Sequence, residues 1–174
     1  IGDEMGLGKT IEAIAVMAHL AHGGQNAFIV VCPASIVINW VREIEKHSEL
    51  KPFLVHGPSR ERAFDQWQVE GGVAITTYET IQRLKHENLD TIDLLVVDEA
   101  HYVKNPDAKR SQTIYSLTER SNNVLYLTGT PLENRLAEMV NLVGKLQPDI
   151  TKEMENSVQY IGSNTFKEKV APVY

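Results

Sequence analysis

Short apolar runs without polar alternation recur along this 174-residue sequence. Their length and their content of β-branched residues predict strands that are buried on both faces, which is typical of a parallel sheet. Such runs occupy residues 27–32, 53–55, 73–76, 94–97 and 124–127. The pattern therefore predicts a sheet of five strands.

The segments between these runs carry apolar residues at the spacing of helices. One such stripe consists of Ile36, Val37, Trp40, Val41 and Ile44. Further helices are predicted over residues 9–22, 60–69, 79–84, 111–117 and 133–146. Strands that alternate with helices require crossover connections, so the predicted fold class is α/β, a three-layer sandwich in which helices flank a mainly parallel sheet.

A polar or glycine-containing cluster follows each predicted strand. These clusters are residues 33–35, 56–57, 76–78, 98–101 and 128–130. The carboxyl ends of parallel strands lie on one edge of a sheet, and ligands bind in the crevice at that edge. We therefore expect the five clusters to converge on a shared binding site.

The composition restricts the class of protein. Hydrophobic residues make up 43% and charged residues 23% of the chain, as in a globular domain, and no apolar run approaches the roughly 20 residues that span a bilayer. The first residues do not resemble a signal peptide, and no membrane partner is expected. A net charge of -6 argues against a protein that coats nucleic acid through a general basic surface, although it allows a local groove.

A glycine-rich segment precedes the first predicted helix. It predicts a phosphate-binding loop formed by Gly6, Leu7, Gly8, Lys9 and Thr10. Backbone N–H groups of such a loop wrap a phosphate chain, while Lys9 reaches the β- and γ-phosphates and Thr10 binds Mg²⁺. Asp3 stands where the strict loop pattern has its first glycine, and a glycine-rich helix entry with a solvated lysine is the alternative.

Two adjacent carboxylates, Asp98 and Glu99, follow the fourth apolar run. At the sheet edge Asp98 suits a metal ligand, together with Thr10, and Glu99 suits the orientation of an attacking water molecule. The alternative is a helix N-cap with a favourable charge in the first turn. That alternative accounts for one acid, but not for the pair together with His101 and an upstream Gly-Lys-Thr.

Several other residues are assigned to packing or to the surface. Cys32 closes an apolar run and is expected to be a buried thiol. Trp40 belongs to an apolar stripe and is expected in the core, whereas Trp67, between two glutamines, is expected to be partly exposed. For His19 and His22, one helical turn apart, a favourable charge at a helix C-terminus is a simpler explanation than a metal site.

Three motifs resemble those of the Swi/Snf family, ATPases of chromatin remodelling and DNA repair in helicase superfamily two. Residues 3–10, 98–101 and 127–134 resemble its motifs I, II and III, and the departure at Asp3 is usual for that family. Residues 33–40, 56–60 and 75–79 are similar to its motifs Ia, Ib and Ic. The resemblance covers nearly the whole chain in the right order, which makes it far more specific than a generic phosphate-binding loop.

The resemblance implies a RecA-like lobe with a P-loop that binds ATP and Mg²⁺ and tracks along double-stranded DNA through sequence-tolerant contacts to the backbone. The residues implied in catalysis are Lys9, Asp98, Glu99 and His101. Those implied in coupling the nucleotide state to movement are Thr128, Gly129 and Thr130. The residues implied to lie along the backbone of the nucleic acid are Pro33, Ala34, His56, Arg60, Thr77 and Tyr78.

The same resemblance divides the chain into a lobe at 1–148, whose first strand lies upstream of this sequence, and a connector at 149–174 toward a second RecA-like lobe of the same polypeptide. Because such motors take an arginine finger from outside this lobe, we expect the isolated chain to be nearly inactive as an ATPase. The alternatives are a strand-separating helicase of the same superfamily and a catalytically silent nucleotide-binding module. The expected location is intracellular, in the nucleus of a eukaryote or the cytoplasm and nucleoid of a bacterium.

Overall fold

The computed structural model describes residues 8–84, 89, 91–103 and 105–129, in which strands and helices alternate. The strands are β1 (Ala27–Cys32), β2 (Pro52–Val55), β3 (Gly72–Thr77), β4 (Ile92–Asp98) and β5 (Ser121–Leu127). The α-helices are α1 (Lys9–His22), α2 (Val37–His47), α3 (Arg60–Glu70), α4 (Tyr78–Ile81) and α5 (Lys109–Thr118), and 3₁₀ turns lie at Ala34–Ile36 and Ala100–Val103. The predicted helix at 133–146, the connector at 149–174 and residues Gly6, Leu7 and Thr130 lie outside the described residues.

All five strands pair in parallel, in the order β2-β3-β1-β4-β5. The strand β1 lies at the centre, with Val30 opposite Ile75 of β3 and Val96 of β4. Each predicted apolar run lies within one of these strands. Parallel strands need crossover connections over a face of the sheet, so their carboxyl ends share one edge. The predicted α/β class with a parallel sheet is confirmed.

Two apolar clusters, one on each face of the sheet, form the core. Phe28 and Val30 of β1 belong to the cluster that α1 and α2 cover. Ile29 and Val31, which alternate with them along the strand, belong to the cluster that α3, α4 and α5 cover. Helices on both faces of the sheet confirm the predicted three layers. Among the helices of the described residues, none combines the length and the apolar character that crossing a bilayer requires.

Trp67 is buried, with 3% of its surface exposed, whereas its polar neighbours in the sequence predicted partial exposure. It follows Phe64 by three residues, so both rings lie on the same face of α3, where they stack with centroids 5.5 Å apart. The indole Nε1–H donates to the carbonyl of Gly72 at 3.0 Å. The prediction for Trp67 is wrong because the helical phase, and not the adjacent residues, decides which side chains face the sheet.

The helix predicted at 79–84 is a single turn that begins one residue earlier. Thr77 is both the last residue of β3 and the N-cap of α4, and its hydroxyl accepts the amide N–H of Thr80 at 3.2 Å. The strand therefore passes into the helix without a loop between them. As a result Tyr78, the first residue of α4, is buried, with 1% of its surface exposed.

Candidate nucleotide and nucleic-acid site

The start of α1 has the polarity that an anion requires. Gly8 precedes the helix with φ 88°, in the left-handed region that glycine enters without strain. Its carbonyl accepts the amide N–H of Glu12 at 3.0 Å, which closes the first helical turn. The first amides of a helix have no intrahelical carbonyl to bind, and the helix dipole is positive at this end. Lys9 and Thr10 lie in this first turn.

Asp98 is the last residue of β4 and is 7% exposed. Its Oδ2 accepts the indole Nε1–H of Trp40 at 2.8 Å, and its Oδ1 accepts the amide N–H of Glu99 at 2.8 Å. Burial raises the pKa of the Asp98 carboxyl, while these two hydrogen bonds and the charge of Lys9 act in the opposite direction. A cation placed beside such a carboxylate would stabilise its ionised form.

The start of α1 and the acid pair face one cleft of about 390 Å³. Its lining comprises Gly8, Lys9, Thr10, Ile11, Ile36, Asn39, Trp40, Glu43, Asp98 and Glu99. Lys9 and Asp98 are distant in the sequence, yet the parallel sheet places both of them at this cleft. Of the residues predicted to bind phosphate, Gly8, Lys9 and Thr10 therefore lie at the same cleft as the two acids, while their role stays a prediction.

Glu99 has a backbone conformation that is uncommon for a residue other than glycine, with φ 53°. The hydroxyl of Tyr78 donates to the carbonyl of Asp98 at 2.6 Å and lies 3.5 Å from the carbonyl of Glu99. The Oε2 of Glu99 lies 3.2 Å from Nδ1 of His101, within ion-pair distance but without the geometry of a hydrogen bond. Unusual backbone conformations of this kind cluster at functional sites, where the surrounding contacts maintain them.

The oxygen atoms of the cleft fit a magnesium ion held mainly by phosphate and water. Asp98 offers a carboxylate and Thr10 a hydroxyl, and both residues line the cleft. Magnesium usually takes one or two protein ligands beside substrate phosphates and keeps several waters. Burial raises the pKa of the Asp98 carboxyl, and a divalent cation beside it would favour the ionised form.

The six residues predicted to lie along a nucleic acid fall into two groups that differ in solvent exposure. The group that is at least partly exposed, after β1 and β2, comprises Pro33, Ala34, His56 and Arg60. The Nδ1 atom of His56 lies 3.3 Å from the Oγ1 atom of Thr80 in α4. Thr77 and Tyr78 are each 1% exposed, because β3 passes directly into α4 beneath the neighbouring elements. Their side chains are therefore covered by other described residues, while the contact of these two positions with nucleic acid stays a prediction.

The residues implied in coupling follow β5 at the same edge of the sheet. Leu127 pairs with Asp98 of β4, so Thr128 lies one residue beyond the level of Asp98. Thr128 is buried, with 7% of its surface exposed, and Gly129 is half-buried. The position of both residues beside the end of β4 is consistent with contact between this segment and the cleft, while their role in coupling stays a prediction.

Residues 1–170 match the family described as the SNF2-related domain. The chain belongs to the SNF2-related family. This SNF2-related chain is 35% identical over 179 residues to the ISWI chromatin-remodeling complex ATPase ISW1 of Saccharomyces cerevisiae, covering 97% of this chain and 15% of that protein. It is 34% identical over 178 residues to the SWI/SNF-related regulator of chromatin subfamily A containing DEAD/H box 1 of Xenopus tropicalis, covering 96% of this chain and 18% of that protein.

A solved structure shares the fold of this SNF2-related chain. The Sulfolobus solfataricus SWI2/SNF2 ATPase core in complex with double-stranded DNA superposes with a TM-score of 0.80 at 27% identity. The alignment covers 98% of this chain and 38% of that one. The likeness extends over almost all of the present sequence, and the RecA-like fold that the motifs implied is confirmed.

The sequence motifs did not predict the part of the cleft that α2 contributes. Asn39, Trp40 and Glu43 line the cleft, and none of them was selected as a site residue. Trp40 is in the core as expected, with 1% of its surface exposed, yet its Nε1–H binds Asp98. A buried tryptophan usually donates its N–H to an acceptor, and this requirement is the signal that could have indicated a polar partner for Trp40.

Proposed function

We propose that this chain is the ATP-binding lobe of a motor that uses ATP hydrolysis to move along double-stranded DNA. The observation that carries the proposal is the shared cleft in which Lys9 and Thr10 meet Asp98 and Glu99. The relatives support it, because ISW1 is named as a chromatin-remodeling complex ATPase and the Sulfolobus core was solved with double-stranded DNA.

Each group at the cleft has a role that follows from its chemistry. The amides at the start of α1 and the ammonium of Lys9 bind the phosphate chain. Thr10 and Asp98 would hold Mg²⁺, which would neutralise charge on the phosphates when bound. Glu99 orients a water molecule for in-line attack on the γ-phosphorus, and the bond from that phosphorus to the bridging oxygen breaks as ADP leaves. His101 lies 3.2 Å from the Glu99 carboxylate, and we infer that it relays changes at this group to the segment after β5.

The lobe needs a partner to complete the hydrolytic site. The chain spans 15% and 18% of the length of the two curated relatives described above. Phosphoryl transfer in such motors takes an arginine from outside this lobe, which contributes about 10³ to 10⁵ in rate. We infer that a second RecA-like lobe of the same polypeptide supplies it, and that the isolated chain binds ATP weakly with negligible turnover.

The path for DNA follows the exposed residues at the carboxyl edge of the sheet, namely Pro33, Ala34, His56 and Arg60. The net charge of -6 argues against a general basic surface as the source of affinity, so local amides, hydroxyls and Arg60 hold the phosphates. Binding is therefore tolerant of base sequence and weakens as salt rises. The corresponding location is inside the cell with the chromosomal DNA, which is the nucleus in a eukaryote.

The test is the ATPase activity of the full-length protein with duplex DNA, single-stranded DNA and RNA compared side by side. We expect duplex DNA to stimulate turnover most. Equal stimulation by single strands, together with strand separation, would favour a helicase instead. Nucleotide binding without hydrolysis under any of the three conditions would favour a silent nucleotide-binding module and contradict the proposal.

A further inference from the structure

The peptide group between Asp98 and Glu99 is held at both ends. Its N–H donates to Oδ1 of Asp98 at 2.8 Å, and its carbonyl accepts the hydroxyl of Tyr78 at 2.6 Å. The Asp98 carboxylate is fixed in turn by the indole of Trp40. These bonds set the plane of the peptide from which the backbone of Glu99 continues.

The orientation of this peptide decides where the Glu99 side chain lies. With φ 53°, Glu99 occupies the left-handed region, which residues with a Cβ adopt only when their surroundings impose it. Without the bond to the Asp98 carbonyl, rotation of the peptide would let φ return to negative values. The Glu99 carboxylate would then leave its present position at the cleft and beside His101.

The aromatic ring of Tyr102 supports the hydroxyl of Tyr78 in this position. The two rings stack with centroids 5.5 Å apart and planes 13° from parallel. The amide N–H of Tyr102 donates to the carbonyl of Glu99 at 2.9 Å, so the next peptide group is also held. Burial of Tyr78 raises the pKa of its hydroxyl above the ordinary value, so the group remains a hydrogen-bond donor at neutral pH.

We propose that Tyr78 is a positioning residue for hydrolysis, whose hydroxyl holds the Asp98–Glu99 peptide so that the Glu99 carboxylate faces the attacking water. The inference rests on the proposed ATPase function and assigns the buried hydroxyl of Tyr78 a role within the chain. Tyr78 belongs to the element that follows β3, so it links that part of the sheet edge to the acid pair. Loss of the hydroxyl should therefore affect the chemical step and leave nucleotide binding intact.

The test compares Tyr78→Phe with Tyr115→Phe in the full-length protein at saturating duplex DNA. Both changes remove a hydroxyl that donates to a main-chain carbonyl, since Tyr115 donates to the carbonyl of Val103 at 2.9 Å. We expect Tyr78→Phe to lower kcat by about 10- to 100-fold, the cost of misplacing a catalytic group, with KM for ATP and nucleotide affinity unchanged. Tyr115→Phe should retain kcat. Equal kcat for wild type and a folded Tyr78→Phe protein overturns the inference.

Amide hydrogen exchange provides a measurement that does not depend on ATPase activity. In Tyr78→Phe the amides of Glu99 and Tyr102 should exchange faster than in Tyr115→Phe, and unchanged exchange overturns the positioning role. Should Tyr78→Phe fail to fold, Tyr102→Leu removes the supporting ring and should lower kcat in the same direction, whereas an unchanged kcat overturns the inference. A wild-type protein without ATPase activity refutes the proposed function, while the exchange data still decide whether Tyr78 holds the peptide.

Discussion

The strand β4 carries an aspartate near each end, and the two carboxylates have different surroundings. Asp93, near the amino end, is half-buried, and its Oδ2 accepts the amide N–H groups of Asn26 and Ala27, each at 2.9 Å. Its Oδ1 accepts from Asn122 at 3.4 Å. Asp98, at the carboxyl end, is more deeply buried and accepts one hydrogen bond on each oxygen from the described residues.

The difference separates an aspartate that joins elements of the fold from one that lines a cleft. Asp93 connects the start of β1 to the residues that begin β5, so its hydrogen bonds hold the amino ends of neighbouring strands together. Asp98 lines the cleft, and burial raises the pKa of its carboxyl. Burial of a carboxylate is costly for a merely structural aspartate, but a buried carboxylate that lines a cleft is suited to binding a cation with its phosphates.

Removing the carboxylate at the carboxyl end should have the largest effect on turnover. Asp98→Ala takes away the proposed metal ligand, and a catalytic metal contributes several kcal/mol, so we expect a fall in kcat/KM of about 1,000-fold or more. Steady-state ATPase assays of the full-length protein with duplex DNA measure this. Near-normal turnover in the variant would show that Asp98 has no role in hydrolysis.

Glu99→Gln should stop hydrolysis while nucleotide binding persists. The amide has nearly the same shape as the carboxylate but lacks the charge that orients and activates water, so we expect kcat to fall by about 100- to 1,000-fold. Titration with a fluorescent ATP analogue, run beside the rate measurement, separates the two effects. A variant that loses nucleotide affinity instead would show that Glu99 acts in binding.

A comparison of variants at the two buried tryptophans tests whether the hydrogen bond from Trp40 to Asp98 contributes to turnover as well as to stability. Trp40→Phe and Trp67→Phe each remove one indole hydrogen bond, to Asp98 and to the carbonyl of Gly72 respectively. Each should lower the free energy of unfolding by about 1–3 kcal/mol, because a buried acceptor loses its donor. In addition, Trp40→Phe should lower kcat by about tenfold, the result of roughly 1.4 kcal/mol of lost transition-state stabilisation. Equal kcat in the two variants would reduce Trp40 to a packing residue.

Asp93→Ala should have the smallest effect on turnover. It leaves the amides of Asn26 and Ala27 without their carboxylate, so we expect a loss of about 1–3 kcal/mol in the free energy of unfolding. Chemical denaturation measures this loss, and ATPase activity at a temperature where the variant stays folded should match that of the wild type. A large loss of turnover under those conditions would contradict the division of roles along β4.

The fold was more predictable than the finer geometry of the site. Buried parallel strands have a continuous apolar signal, and their polar termini follow directly, so the sheet and the meeting of Lys9 with Asp98 could be predicted. The bond between Trp40 and Asp98 joins residues 58 positions apart, and no local pattern encodes such a pair. Burial of Tyr78 depended on the absence of a loop between β3 and α4, which the sequence of that turn does not reveal.

The alternation of side chains along β4 has a consequence for how this sequence can change. Val97 belongs to the cluster under α3, α4 and α5, whereas Val96 belongs to the one under α1 and α2, the face where Trp40 meets Asp98. Inserting or deleting one residue in this strand would rotate every later side chain to the other face. The strand therefore tolerates apolar exchanges far better than a change of length, because only an even shift would return the carboxylate to the face on which the indole lies, and even that would displace it along the strand.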